Sequence, residues 1–169
     1  MPSRDRPSTE LDALYRKYAA DVFRFALYLS GNRGEAEDLT SETFVRAWTS
    51  PEPIVTATVK GYLFTIARNL FLQGLRRKSR QVALDPELRD PRADVSAQAE
   101  QESELRAALR ELQRLPEIDR AALLMRAVHE LPYEEIARAL GLSLAAVKVK
   151  IHRARLAVAR VRDDDRGDT

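Results

Sequence analysis

Apolar residues recur at steps of three and four along most of this chain, and they nowhere alternate over a convincing length. Leu11, Leu14, Tyr15, Tyr18, Val22, Phe25, Ala26 and Leu29 predict a first helix over residues 10–29, which Gly31 stops. Asn32 followed by Glu35 resembles a capping box, with Asn in place of the usual Ser or Thr. The helix it opens runs to about Trp48, with Leu39, Phe44 and Ala47 inward; Phe44 and Trp48 read as core. Residues 50–58, with Pro51 and Pro53, form a loop. A third helix over 59–77 buries Leu63, Ile66, Ala67 and Leu70 and exposes Lys60, Arg68, Asn69, Gln73, Arg76 and Arg77. Periodicity then fails, Pro86 and Pro91 interrupt, and acids accumulate. A long polar helix begins near Ser96 and gains an inward face from Leu105, Leu109, Leu112 and Leu115 before Pro116 ends it. Another follows over 117–128. The pattern predicts an all-α protein of two small helical domains, 10–79 and 96–162, joined by an acidic linker at 80–95, with loose tails at 1–9 and 163–169.

The stretch LPYEEIARALGLSLAAVKVKIHRAR, residues 131–155, reads as a helix-turn-helix. Ile136, Ala137 and Leu140 can share one face of its first helix, and Pro132 suits the first turn. Gly141 can take the left-handed conformation that ends a helix, and Ser143 can cap the next. In the second helix Leu144, Val147, Ile151, Ala154 and Val158 form the inner stripe. Lys148, Lys150, His152, Arg153 and Arg155 fall mostly outside it. Such a helix can lie in a major groove while packing on its own domain. Glu134 and Glu135, on its first helix, read as a solvated face.

Composition sharpens this picture in two ways. The net charge of +2 conceals basic blocks at 60–80 (six Lys/Arg, no acids) and 105–162 (twelve Lys/Arg, six acids), separated by an acidic block at 81–104. Phosphate binding needs local positive charge, so both basic blocks are candidate nucleic-acid surfaces. The absence of cysteine excludes disulfides, thiolate catalysis and zinc fingers. His129 and His152 have no metal-ligand spacing, and no metal or other cofactor is expected. No segment approaches the roughly 18–20 apolar residues of a membrane span, so the expectation is a soluble, cytoplasmic protein. No Gly-rich phosphate loop, nucleophile elbow or carboxylate–histidine cluster marks an enzyme or a small-molecule substrate site.

Three ordered blocks carry a resemblance: EAEDLTSETFVRAW (35–48), GYLFTIARNLFLQGLRR (61–77) and LPEIDRAALLMRAVHELPYEEIARALGLSLAAVKVKIHRAR (115–155). Together they resemble an extracytoplasmic-function sigma factor of bacterial RNA polymerase. The resemblance implies a promoter-specificity subunit whose N-terminal domain binds the polymerase clamp and opens the −10 element. Its C-terminal domain would read the −35 element on the polymerase flap. Core polymerase and promoter DNA are the implied partners, and an anti-sigma factor is typical of the family. The acidic linker fits a strand that occupies a basic channel until RNA displaces it, and equally fits a solvated spacer.

On this likeness Asp38, Glu42 and Arg46, at four-residue steps, face the polymerase; the same spacing also suits a solvated face with a Glu42–Arg46 ion pair. Lys60, Arg68, Asn69, Arg76 and Arg77 are the −10 candidates. Arg suits phosphate through paired N–H groups, and Asn suits a base or backbone. The family's base-capturing loop corresponds to 50–58, which here holds no aromatic residue and no Asn, so its capturing residue stays unassigned. Tyr62 stands where the family often has Trp. Lys148, Val149, His152 and Arg153 align with −35-facing positions, and Lys150 and Arg155 are phosphate candidates. Val149 departs from the small polar residue common there and could touch a thymine methyl. The alternatives are a freestanding helix-turn-helix regulator and a sigma-like decoy for an anti-sigma factor.

Overall fold

The computed structural model describes residues 8–50, 58–85, 87 and 104–167. Among these the chain forms seven helices and no strand: α1 (Ser8–Ser30), α2 (Arg33–Thr49), α3 (Val59–Leu84), α4 (Glu104–Arg114), α5 (Glu117–Ala127), α6 (Tyr133–Leu140) and α7 (Leu144–Arg166). The all-α expectation is met. Residues 1–7, 51–57 of the loop expected before the third helix, 86, 88–103, where the expected linker gives way to the helix expected from Ser96, and 168–169 lie outside the described residues.

Local chemistry sets the helix ends. Gly31 takes φ +68 and closes α1. The Glu35 amide donates to Asn32 Oδ1 at 2.8 Å, the cap read from sequence. The reciprocal half of a capping box is missing. The Asn32 amide donates to Ser30 Oγ, and the Glu35 carboxylate instead meets Lys78 at 3.2 Å. Thr58 caps α3 by accepting from the Gly61 amide, and Ser143 caps α7 by accepting from the Ala146 amide. Gly141 is left-handed at φ 65, as expected; Pro132 sits at the N-cap of α6 rather than inside its first turn.

Two helices outrun their expected ends. α3 continues past Arg77 to Leu84, because KSRQVAL contains no Gly or Pro; Pro86 follows soon after. α7 continues past Arg162 to Arg166, since the Asp run holds no breaker before Gly167.

α1, α2 and α3 pack around Val22, Phe25, Leu29, Leu39, Phe44, Leu63, Phe64 and Leu70, with the Phe25 and Phe64 rings stacked at 4.5 Å. Trp48, expected in the core, is only half-buried, and Leu144 at the start of α7 is exposed rather than inward. α4 to α7 gather Ala121, Leu124, Met125, Ile136, Leu140, Val147, Ile151 and Ala154. Each fully buried large apolar side chain is worth about 1.5–3 kcal/mol relative to exposure. The two groups form one continuous apolar cluster, because α1 packs on α4 and α5 and α3 packs on α6.

Candidate nucleic-acid interface

The outer face of α3 is the first basic surface. Asn69, Gln73, Arg76, Arg77 and Arg80 are exposed, and their spacing of three and four places them on one stripe. Gln73, Arg76, Arg77, Ser79 and Arg80 line an open basic concavity on this stripe. Arg76 Nε reaches back only to the Leu72 carbonyl at 3.4 Å, which leaves its outer N–H groups toward solvent. These donors can track a phosphate backbone.

Arg68 and Lys60 depart from the expected exposure. Arg68 donates from Nε and an Nη to the two carboxylate oxygens of Glu117, at 2.7 and 2.9 Å, and its side chain is 13% exposed. Lys60 lies 3.7 Å from Asp21 and is half-buried. Both acids sit off α3, on α5 and α1, so the pattern within the α3 segment could not reveal them.

α7 supplies the second surface. Val147, Ile151 and Ala154 are buried on its inner side. Lys148, Val149, His152, Arg153 and Arg155 are exposed. Val149 is 58% exposed, an apolar contact point between cations. Lys150 and Arg153 meet the buried Asp119 carboxylate of α5, at 3.5 and 3.2 Å. Asp119 thereby fixes the rotation of α7 on its module, while the 60%-exposed Arg153 side chain keeps access to solvent. Lys148 also lies over the Tyr133 ring at 5.9 Å, a contact that steadies it beside α6.

The third surface is the outer side of α2. Asp38, Glu42 and Arg46 are all exposed on one face, and Glu42 and Arg46 are 3.8 Å apart. An exposed pair of this kind contributes little to stability, which leaves the groups free for a partner. Val45, 60% exposed, adds an apolar spot that a charge-based reading passed over.

Several residues that shape these surfaces escaped the sequence reading. Glu135 is buried, not solvated: its carboxylate rests against Gly61 in the first turn of α3, where the helix dipole favours negative charge. His129 is buried against Phe64 and Phe25, with ring centroids at 4.5 and 6.0 Å. Burial holds its pKa down at about 4. Asp21 opposes that shift, and Lys60 and Arg24 add to it. Arg120 is buried over Phe71 and donates to the Leu112, Gln113 and Leu115 carbonyls, tying off the end of α4; burial lowers its pKa. The one local signal was a charged Asp119–Arg120 pair set inside an apolar run. Among the described residues no cluster of His, Cys, Asp and Glu could hold a metal ion, and no helix is long and apolar enough to cross a membrane.

Comparison with known proteins shows the family of the chain. Residues 14–81 match the model of Sigma-70 region 2, and residues 105–158 match Sigma-70, region 4. The chain is 41% identical over 149 residues to the ECF RNA polymerase sigma factor SigE of Mycolicibacterium smegmatis, covering 85% of this chain and 58% of that longer protein. It is 31% identical to the ECF sigma factor SigM of Bacillus subtilis, covering 86% of this chain and 90% of SigM. The fold matches that of the sigma factor RpoE of Bartonella quintana, solved with the anti-sigma factor NepR. The TM-score is 0.79 at 23% identity, over 92% of this chain and 98% of that one. Region 2 falls on α1–α3 and region 4 on α4–α7, each ending in a basic helix, and the chain belongs to the extracytoplasmic-function sigma factors, which direct transcription initiation.

Proposed function

We propose that the protein binds core RNA polymerase through the outer face of α2, with Asp38, Glu42 and Arg46 as its polar contacts, and carries the enzyme to promoter DNA. Residues 10–79 form the −10 domain and 96–162 the −35 domain. Lys60, Arg68, Asn69, Arg76 and Arg77 hold the opened −10 strand. Lys148, Val149, His152 and Arg153 face base edges of the −35 element in the major groove, and Lys150 and Arg155 grip phosphates. The protein works in the cytoplasm by binding, with no catalysis and no cofactor of its own. An anti-sigma factor is a further partner, by likeness to the RpoE complex with NepR. The observation that carries this reading is the order of the two family matches on one chain, each bearing an exposed basic helix face.

Run-off transcription with bacterial core polymerase on a genomic promoter library tests it. Added protein should produce new start sites, and these should vanish with Arg68→Ala combined with Asn69→Ala. No new starts, together with tight duplex binding by the protein alone, would overturn the proposal.

A further inference from the structure

We propose that the protein alone is held closed, with the α4–α7 module covering the start of α3 and Glu117 taking the place on Arg68 that a DNA phosphate would occupy. The role given to Arg68 here rests on the function proposed above; the closure itself does not.

Four contacts form the seam. Gln113 of α4 donates from Nε2 to the Tyr28 carbonyl at 2.8 Å, near the end of α1. It fits there because Gly31 has no Cβ: one built at that position would stand 2.8 Å from Gln113 Cδ. Glu117 of α5 holds Arg68 in a two-toothed pair at 2.7 and 2.9 Å, the geometry by which a guanidinium also binds phosphate. His129, in the turn after α5, seats on Phe25 and Phe64, 4.0 Å from Asp21. Glu135 of α6 sets its carboxylate against the first turn of α3.

The seam is built to open as well as to close. Phe25 and Phe64 are fully buried, which favours the closed form. Against that, His129 Nε2 and both Glu135 carboxylate oxygens are buried with no hydrogen-bonding partner among the described residues. Water would satisfy each of them on opening. Apolar burial and unmet polar groups therefore pull in opposite directions across one interface, as in elements with two stable arrangements. Closure is also selective. It takes Arg68, yet Asn69, Arg76, Arg77 and the Lys148–Val149–His152 face stay exposed. The closed protein thus keeps its duplex-reading helix and loses part of its strand-holding one.

The chain lacks cysteine, so cysteines introduced at the exposed positions Arg33 and Arg138 can carry a dye pair across the seam. High energy transfer is expected for the unaltered full chain, and a clear drop with Glu117→Arg. Combining Arg68→Glu with Glu117→Arg should restore it. The milder Glu117→Gln guards against misfolding, checked by circular dichroism. It should bind a fluorescent single-stranded oligonucleotide of mixed sequence several-fold more tightly than the unaltered protein. Low transfer in the unaltered chain would overturn the closure; unchanged high transfer in folded Glu117→Arg, or no restoration by the exchanged pair, would overturn the part given to Glu117 in holding it. Unchanged oligonucleotide binding by Glu117→Gln would overturn the phosphate-substitute role. Run-off transcription reports separately on the function, so a failure there leaves the energy-transfer result standing.

Discussion

Glu130 is the one residue other than glycine with a positive φ among those described, at 57°. It sits in the turn between α5 and α6, beside His129, where its amide still bonds the Arg126 carbonyl. A side chain held in this left-handed region costs about 1–2 kcal/mol. Its own side chain is exposed and contributes no bond to the seam. Glu130→Gly should therefore raise thermal stability by about 1–3 °C, the lost strain being partly offset by the freer unfolded chain. Thermal unfolding by circular dichroism checks this; a lower melting temperature would place the strain elsewhere. At this scale the sequence was least readable. Gly141, Ser143 and Asn32 behave as their local chemistry requires. Glu135, His129 and Arg68 do not, because each is claimed by a helix remote in sequence. A carboxylate on a polar helix face looks solvated until the start of another helix is seen to receive it.

Helices were far more legible than their ends. Spacing of three and four placed the inner sides of α1, α2, α3 and α7 because burying apolar area is local arithmetic on a 3.6-residue period. The extra turns of α3 and α7 were missed because a helix continues until something stops it, and polar residues alone do not. α7 also depends on an element-level contact that no single segment shows. Asp119 of α5 is buried and meets Lys150 and Arg153 of α7. Hydrogen bonds to charged partners of this kind are worth about 1.5–3 kcal/mol each, and both cations can turn to water once the acid is gone. Asp119→Ala should cost about 1–3 kcal/mol by urea denaturation. It should also loosen the register of α7, weakening binding to a −35 duplex although it removes a negative charge. Stronger duplex binding by Asp119→Ala would show that the acid merely screens the cations and does not position the helix.

For the whole molecule, composition shows two basic blocks and an acidic divider; the first basic block falls on α3 and the second on α4–α7. That the two helical groups meet in one apolar cluster was not readable, since the residues that join them are scattered from Asp21 to Glu135. The same meeting makes stability depend on pH through His129. Burial is the largest cause of its low pKa of about 4; from α1 Asp21 raises it and Arg24 lowers it, and from α3 Lys60 lowers it. In the unfolded chain an imidazole titrates near 6.5. Between these values the unfolded chain binds a proton that the folded one excludes, so acid favours unfolding. The contribution of His129 is fully present above about pH 6.5 and is lost as pH falls toward 4. The slope is at most about 1.4 kcal/mol per pH unit. Urea denaturation at pH 7.5 and 5.5 should show the loss in the unaltered protein. His129→Phe keeps a ring against Phe25 and Phe64 and should flatten the difference. An equal loss in both proteins would assign the pH dependence to the carboxylates instead. If the dye pair across the seam also separates between these two pH values in the unaltered protein alone, protonation of His129 opens the modules before it unfolds them.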